Sequence, residues 1–176
     1  MPGRDIDDGV GVQPVRKVVP SRRYSKVEAA AISEMVIVVD TREQRPFTFQ
    51  DMNVRFEALP AGDYSIVGFQ DRLAIERKNL GDFLSSIAHG RKRFQRELEK
   101  LSGYERACVV VEADYSHIAG GVHERSKMSP RAALATMSVI WTDYGVPVFT
   151  CYNRLHAQDF TLRVLIRFYL RKRGLK

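Results

Sequence analysis

Two runs without a polar residue, MVIVV at 35–39 and ACVVV at 107–111, constrain the fold more than any other feature of the chain. A strand with one wet face alternates apolar and polar residues. An unbroken, largely β-branched run implies a strand buried on both faces, and hence a sheet covered by helices on each side. The first run ends at Asp40, so Asp40, Arg42 and Glu43 fall at the carboxyl end of a central strand. Such strand ends are where open α/β sheets build their sites.

The rest of the chain reads around these two runs. Residues 54–59 alternate as a half-buried strand, and Pro60-Ala61-Gly62 forms a turn in which Gly62 supplies backbone freedom. Residues 64–67 and 73–77 read as two further strands joined by a hairpin loop. Asn79 or Asp82 caps a helix carrying Phe83, Leu84 and Ile87. A second helix runs from Arg91 to Leu101. After the strand at 107–111 comes a loop from Tyr115 to Ser129. A helix begins at Pro130 with Leu134, Met137, Ile140 and Trp141 inward. A short strand spans 146–150, and a long helix spans 156–172. Residues 1–33 lack periodicity and read as a flexible tail, leaving 34–176 as one domain. The expected fold is α/β, a mixed sheet flanked by helices.

The chemistry concentrates between Gly62 and Asp82. Asp63 follows a glycine, Glu76-Arg77-Lys78 ends a strand, and Asp82 falls in the next helix. Carboxylate oxygens suit hard cations such as Mg²⁺ or Mn²⁺. Glu76 and Lys78 are two residues apart, so on a strand they share a face and can address one phosphate. Lys78 then orients or deprotonates an attacking water; the alternative is a salt bridge to Glu76. Arg77 points to the other face, either toward a phosphate or toward Asp82. Arg42 either clamps a phosphate or neutralises Asp40 and Glu43.

VIVVDTRE, LPAGDY and IERKNLGDF, followed by SSIAHGRKRFQ, resemble the nuclease domain of the XPF family of structure-specific endonucleases. These belong to the restriction-endonuclease-like, PD-(D/E)XK class. The resemblance implies a restriction-endonuclease-like mixed sheet and a metal-dependent endodeoxyribonuclease acting on branched, flap or junction DNA. It implies Asp63 and Glu76 as metal ligands, the carbonyl of Arg77 as a third, and Asp40 as a ligand or supporting acid. Lys78 is the implied catalytic amine, with Arg42 and Asp82 completing the catalytic set. Some relatives are non-catalytic DNA-binding scaffold subunits, but those lose the acids that this chain keeps. A Holliday-junction resolvase of the same fold differs in substrate only.

A net charge of +7 favours a polyanionic partner. Arg91, Lys92, Arg93 and Arg96, with Gln95, form a basic helix suited to the DNA backbone, the alternative being a solvated helix. The last helix is apolar over most of its circumference, with Arg163, Arg167 and Arg171 as one stripe. It is therefore expected to pack on the core and on a second copy, and XPF-like nuclease domains pair through C-terminal helices. Cys108 and Cys151 lie in or beside apolar runs without zinc-ligand spacing, as expected of buried thiols in a reducing compartment. No signal-peptide pattern or membrane-length apolar stretch appears, so the expected setting is soluble and intracellular.

Overall fold

A computed structural model describes residues 24–121 and 128–175. Six strands form one mixed sheet: β1 (Val36–Asp40), β2 (Asn53–Glu57), β3 (Tyr64–Ile66), β4 (Leu73–Lys78), β5 (Arg106–Val111) and β6 (Val148–Thr150). Their order across the sheet is β2-β1-β3-β4-β5-β6. β3 runs antiparallel to both β1 and β4, while the remaining neighbours are parallel.

Six helices cover the two faces: α1 (Lys26–Glu34), α2 (Leu80–Ala88), α3 (Arg91–Ser102), α4 (Tyr115–Gly120), α5 (Pro130–Tyr144) and α6 (Arg154–Lys172). Alternate residues of the central strands feed two separate cores, as the unbroken apolar runs require. Ile37, Val39, Ile75, Cys108 and Val110 pack with α1, α6 and the loop bearing Phe47 and Phe49. Ala74, Val109 and Val111 pack with α2, α3 and α5. Both cysteines are buried and reduced.

Four expectations need correction. Part of the supposed tail is α1, which begins with a capping box. Ser25 Oγ accepts from Glu28 N–H, and Glu28 accepts from Ser25 N–H. The supposed loop after Asp114 begins as α4, capped by the Asp114 side chain; His123, Arg125 and Lys127 lie outside the described residues. Trp141 is not inward but 56% exposed, because the buried face of α5 centres on Ala133 and Ile140 instead. The alternating strand is β2, an edge strand whose Val54 and Phe56 are exposed rather than half-buried.

The second apolar side of α6 is largely covered within the chain. Ala31 and Met35 from the α1 side, and Phe47 and Phe49 from the loop after β1, share its core. Phe69 meets Phe168 edge-on, with ring centroids 5.4 Å apart. No described helix is long and apolar enough to cross a membrane.

Candidate active site

The site forms where β3 and β4 begin and end side by side. Tyr64 pairs with Ile75 in an antiparallel register. Asp63 stands just before this pair and Glu76 just after it, and the two line the same cleft. The Asp63 N–H donates to the Ile75 carbonyl at 2.8 Å, which holds Asp63 against β4. The approach depends on Gly62, whose φ is +72° and whose Cα lies against β4. A Cβ there would meet the Ala74 side chain and the Ile75 backbone at 3.2 Å.

Glu76 and Lys78 emerge together on the face of β4 that carries Ala74, as their spacing requires. Lys78 Nζ donates to Glu76 Oε1 at 2.9 Å and lies 5.0 Å from the Phe94 ring centroid. Both side chains are largely withdrawn from solvent. The salt bridge weighed as an alternative is therefore present, and it puts the amine beside the acid. Asp63 Oδ2 accepts the Arg77 N–H at 2.7 Å. Asp63, Glu76 and Lys78 line one cleft of about 450 Å³, together with Arg42, Glu43, Asp82, Arg93 and Glu97.

The electrostatics of this cleft are those of crowded acids. Burial and the neighbouring Glu76, with a smaller push from Glu43, raise the Asp63 pKa to about 8. Arg77 N–H and Lys78 oppose that rise. Burial also raises Glu76, against the pull of Lys78. Two desolvated carboxylates facing each other disfavour ionisation, and a cation between them would relieve the conflict.

Among the described residues no group of three or more His, Cys, Asp or Glu side chains forms a ready metal cage. A Mg²⁺ site in general uses one or two carboxylates and completes its shell with water and substrate oxygens. Asp63 and Glu76 are the residues suited to hold such an ion.

Asp40, expected as a ligand or as a supporting acid, has both carboxylate oxygens engaged by the protein. It does not line the cleft. Its Oδ1 accepts from the N–H and Nε of Arg42, each at 2.7 Å. Its Oδ2 accepts from Arg42 Nη2 at 2.8 Å and from the Leu59 N–H at 2.7 Å. Burial would push its pKa up, but these partners outweigh burial and hold it below the ordinary range. Arg42 is thus committed to neutralising Asp40, with 68% of its side chain still exposed at the rim.

Asp82 is exposed and bonds to Asn79, the cap of α2: its N–H donates to Asn79 Oδ1 at 2.8 Å. It does not pair with Arg77. The Arg77 guanidinium is buried on the opposite face of β4, with Nε 2.7 Å from Glu112 Oε1 and Nη1 3.4 Å from Glu43 Oε1. That placement leaves 5% of its side chain exposed, although Arg77 is also among the residues lining the cleft.

The basic helix divides. Arg93 lines the cleft with Lys78, whereas Arg91 and Gln95 line a groove against α5 beside Thr136 and Asp143. Lys92 and Arg96 are exposed.

Sequence reasoning gave no role to Glu97, Glu112 or Arg154. Glu97 Oε1 accepts the Gly62 N–H at 3.2 Å across the cleft wall. Glu112 Oε1 accepts from both Arg77 and Arg154 at 2.7 Å. Glu112 stands at the end of an apolar strand, a position that could have marked it.

The mixed sheet and its flanking loops thus bring Asp63, Glu76 and Lys78 into one cleft. The ERCC4 domain model matches residues 39–164, and the chain belongs to that family. Its fold is similar to that of solved XPF structures. It is similar to XPF from Aeropyrum pernix, with TM-score 0.58 and 24% identity, covering 78% of this chain and 64% of that one. Against the same protein in complex with DNA the TM-score is 0.60 at 24% identity, covering 66% of that chain. A putative ATP-dependent RNA helicase of Methanocaldococcus jannaschii is 26% identical over 130 residues, 73% of this chain but 15% of the relative. The chain thus spans a small part of that curated relative and just under two thirds of the first XPF chain.

Proposed function

We propose that this domain is a divalent-metal-dependent endodeoxyribonuclease that hydrolyses phosphodiester bonds in branched, flap or junction DNA. The observation that carries this reading is the buried pair Asp63 and Glu76, both pushed toward protonation, with the Lys78 amine 2.9 Å from Glu76. Desolvating two neighbouring acids costs the fold stability. Such a costly arrangement is expected where charge must be received.

A bound Mg²⁺ or Mn²⁺ supplies Lewis acidity toward a phosphate oxygen. Asp63 and Glu76 hold it, with the Arg77 carbonyl as a further oxygen. Lys78 orients the attacking water and offsets negative charge as it develops on the phosphate. Arg93 at the cleft rim and Lys92 and Arg96 on the outer face of α3 engage the DNA backbone without reading sequence. The DNA complex of the A. pernix relative supports a nucleic-acid partner.

A non-catalytic scaffold subunit is the second reading, and the retained Asp63, Glu76 and Lys78 speak against it. Incubating the domain with flap, fork, nicked and four-way DNA in Mg²⁺ or Mn²⁺ tests the proposal. Metal-dependent cleavage of at least one branched substrate, abolished by chelation, is the expected result. Binding without cleavage under every condition would favour the scaffold.

Pairing with a second copy is also proposed. Its support now lies at the β6 edge, where Trp141, Phe149 and Leu155 are 56%, 38% and 43% exposed. Leu155 lies in the first turn of α6, and Phe149 meets Phe160 of α6 with ring centroids 4.7 Å apart. Light scattering at micromolar concentration should give twice the chain mass, and a monomer throughout would remove this part of the reading.

A further inference from the structure

A closed ring of hydrogen bonds runs behind the cleft and ends on the terminal helix. Arg154, the first residue of α6, donates through Nη1 to Glu112 Oε1 at 2.7 Å. The same oxygen accepts Arg77 Nε at 2.7 Å. Arg77 Nη1 reaches Glu43 Oε1 at 3.4 Å. From Glu43 the chain leads to Arg45 and Pro46, whose carbonyls both accept from Arg154 Nη2, at 2.7 and 2.8 Å. The ring encloses Phe47, whose ring centroid lies 4.9 Å from the Arg154 guanidinium carbon and 5.9 Å from that of Arg77.

Two features set this ring apart from an ordinary ion pair. Local helix chemistry disfavours it, because a cation in the first turn opposes the helix dipole. Its members also connect to the cleft through backbone as well as charge. Arg77 N–H donates to Asp63 Oδ2 at 2.7 Å, and Glu112 N–H donates to the Lys78 carbonyl at 2.9 Å. Glu43 both belongs to the ring and lines the cleft.

We propose that Arg154 is a positioning residue for the cation site, acting from α6 through Glu112, Arg77 and the 43–46 loop. It touches neither Asp63 nor Glu76; its partners are Glu112 and the carbonyls of Arg45 and Pro46. By holding the carbonyls of Arg45 and Pro46 it fixes where Glu43 enters the cleft. By sharing Glu112 it immobilises Arg77, whose backbone holds Asp63. Partners of this kind orient ligands, and their loss weakens metal binding even when every ligand is intact. The inference rests on the proposed metal-dependent reading of the site.

The test is Mn²⁺ binding to the DNA-free protein, followed by electron paramagnetic resonance of the free ion. Arg154→Gln should weaken Mn²⁺ affinity by about 10-fold or more, while circular dichroism reports an intact fold. Arg154→Lys keeps the charge but cannot bridge Glu112 and two carbonyls, so it should show a several-fold loss and stands in if the glutamine variant unfolds. Arg163→Gln removes a different α6 ion pair, Arg163 with Asp159, and should bind Mn²⁺ as the wild type does. Folded Arg154 variants with wild-type affinity would overturn the positioning role and leave the metal site standing. A wild type that binds no Mn²⁺ would overturn both.

Discussion

Arg77 and Glu112 are joined by a 2.7 Å bond between Nε and Oε1, with their side chains 5% and 9% exposed. Arg77 stands between Glu76 and Lys78 in sequence, yet its side chain belongs to the opposite face of β4. The period of two along a strand thus separates one triplet into two jobs. Glu76 and Lys78 address the cleft, and Arg77 ties β4 to β5 behind it.

The raised Asp63 pKa makes the metal-free fold sensitive to base. Its folded value of about 8 lies above its ordinary 3.8. Between those values the folded state keeps a proton that the unfolded state has released. Stability should therefore fall as pH rises from about 4 to about 8, by up to ~1.4 kcal/mol per pH unit. Urea denaturation in a chelator should show this slope, and saturating Mg²⁺ or Asp63→Asn should flatten it.

Asp40 should prove to be a structural acid. Its four accepted hydrogen bonds include the N–H of Leu59, which Asp40 caps from within the fold. Asp40→Asn cannot accept them all, and should cost about 2–3 kcal/mol in chemical denaturation. Metal affinity of the folded variant, measured by calorimetry, should stay within about threefold of the wild type, since Asp40 does not line the cleft.

The division of the basic helix predicts unequal effects on DNA. Arg93→Ala should weaken binding to any sequence and reduce the salt slope by about 0.9 per lost phosphate contact. Arg91→Ala, on the side that faces α5, should change the slope much less. Fluorescence anisotropy across a salt series distinguishes the two.

The strand chemistry was legible because period and spacing carry it. The two-residue step from Glu76 to Lys78 fixes a shared face, and Gly62 before Asp63 marks a turn that needs backbone freedom. Both hold in three dimensions. What escaped depends on contacts distant in sequence. Glu112 and Arg154 are 42 residues apart, and neither has a local pattern that pairs them. α1 was missed despite its Ser25–Glu28 capping box, because its nine residues bury only Glu28 and Ala31 and present no apolar stripe. Trp141 was misplaced by one helical position, which turns a side chain about a quarter of a circle, enough to move it from core to solvent.

Single-turnover cleavage of a flap substrate in Mg²⁺ by the wild type and by Glu76→Gln is the most direct measurement of the central claim. The variant keeps the shape of the side chain and removes its charge. The wild type should cut and the variant should be at least about 10³-fold slower, a loss of about 4 kcal/mol of transition-state stabilisation, with DNA binding retained. Equal cleavage by the two proteins would contradict the assignment of Glu76, and with it the carboxylate pair on which the account stands.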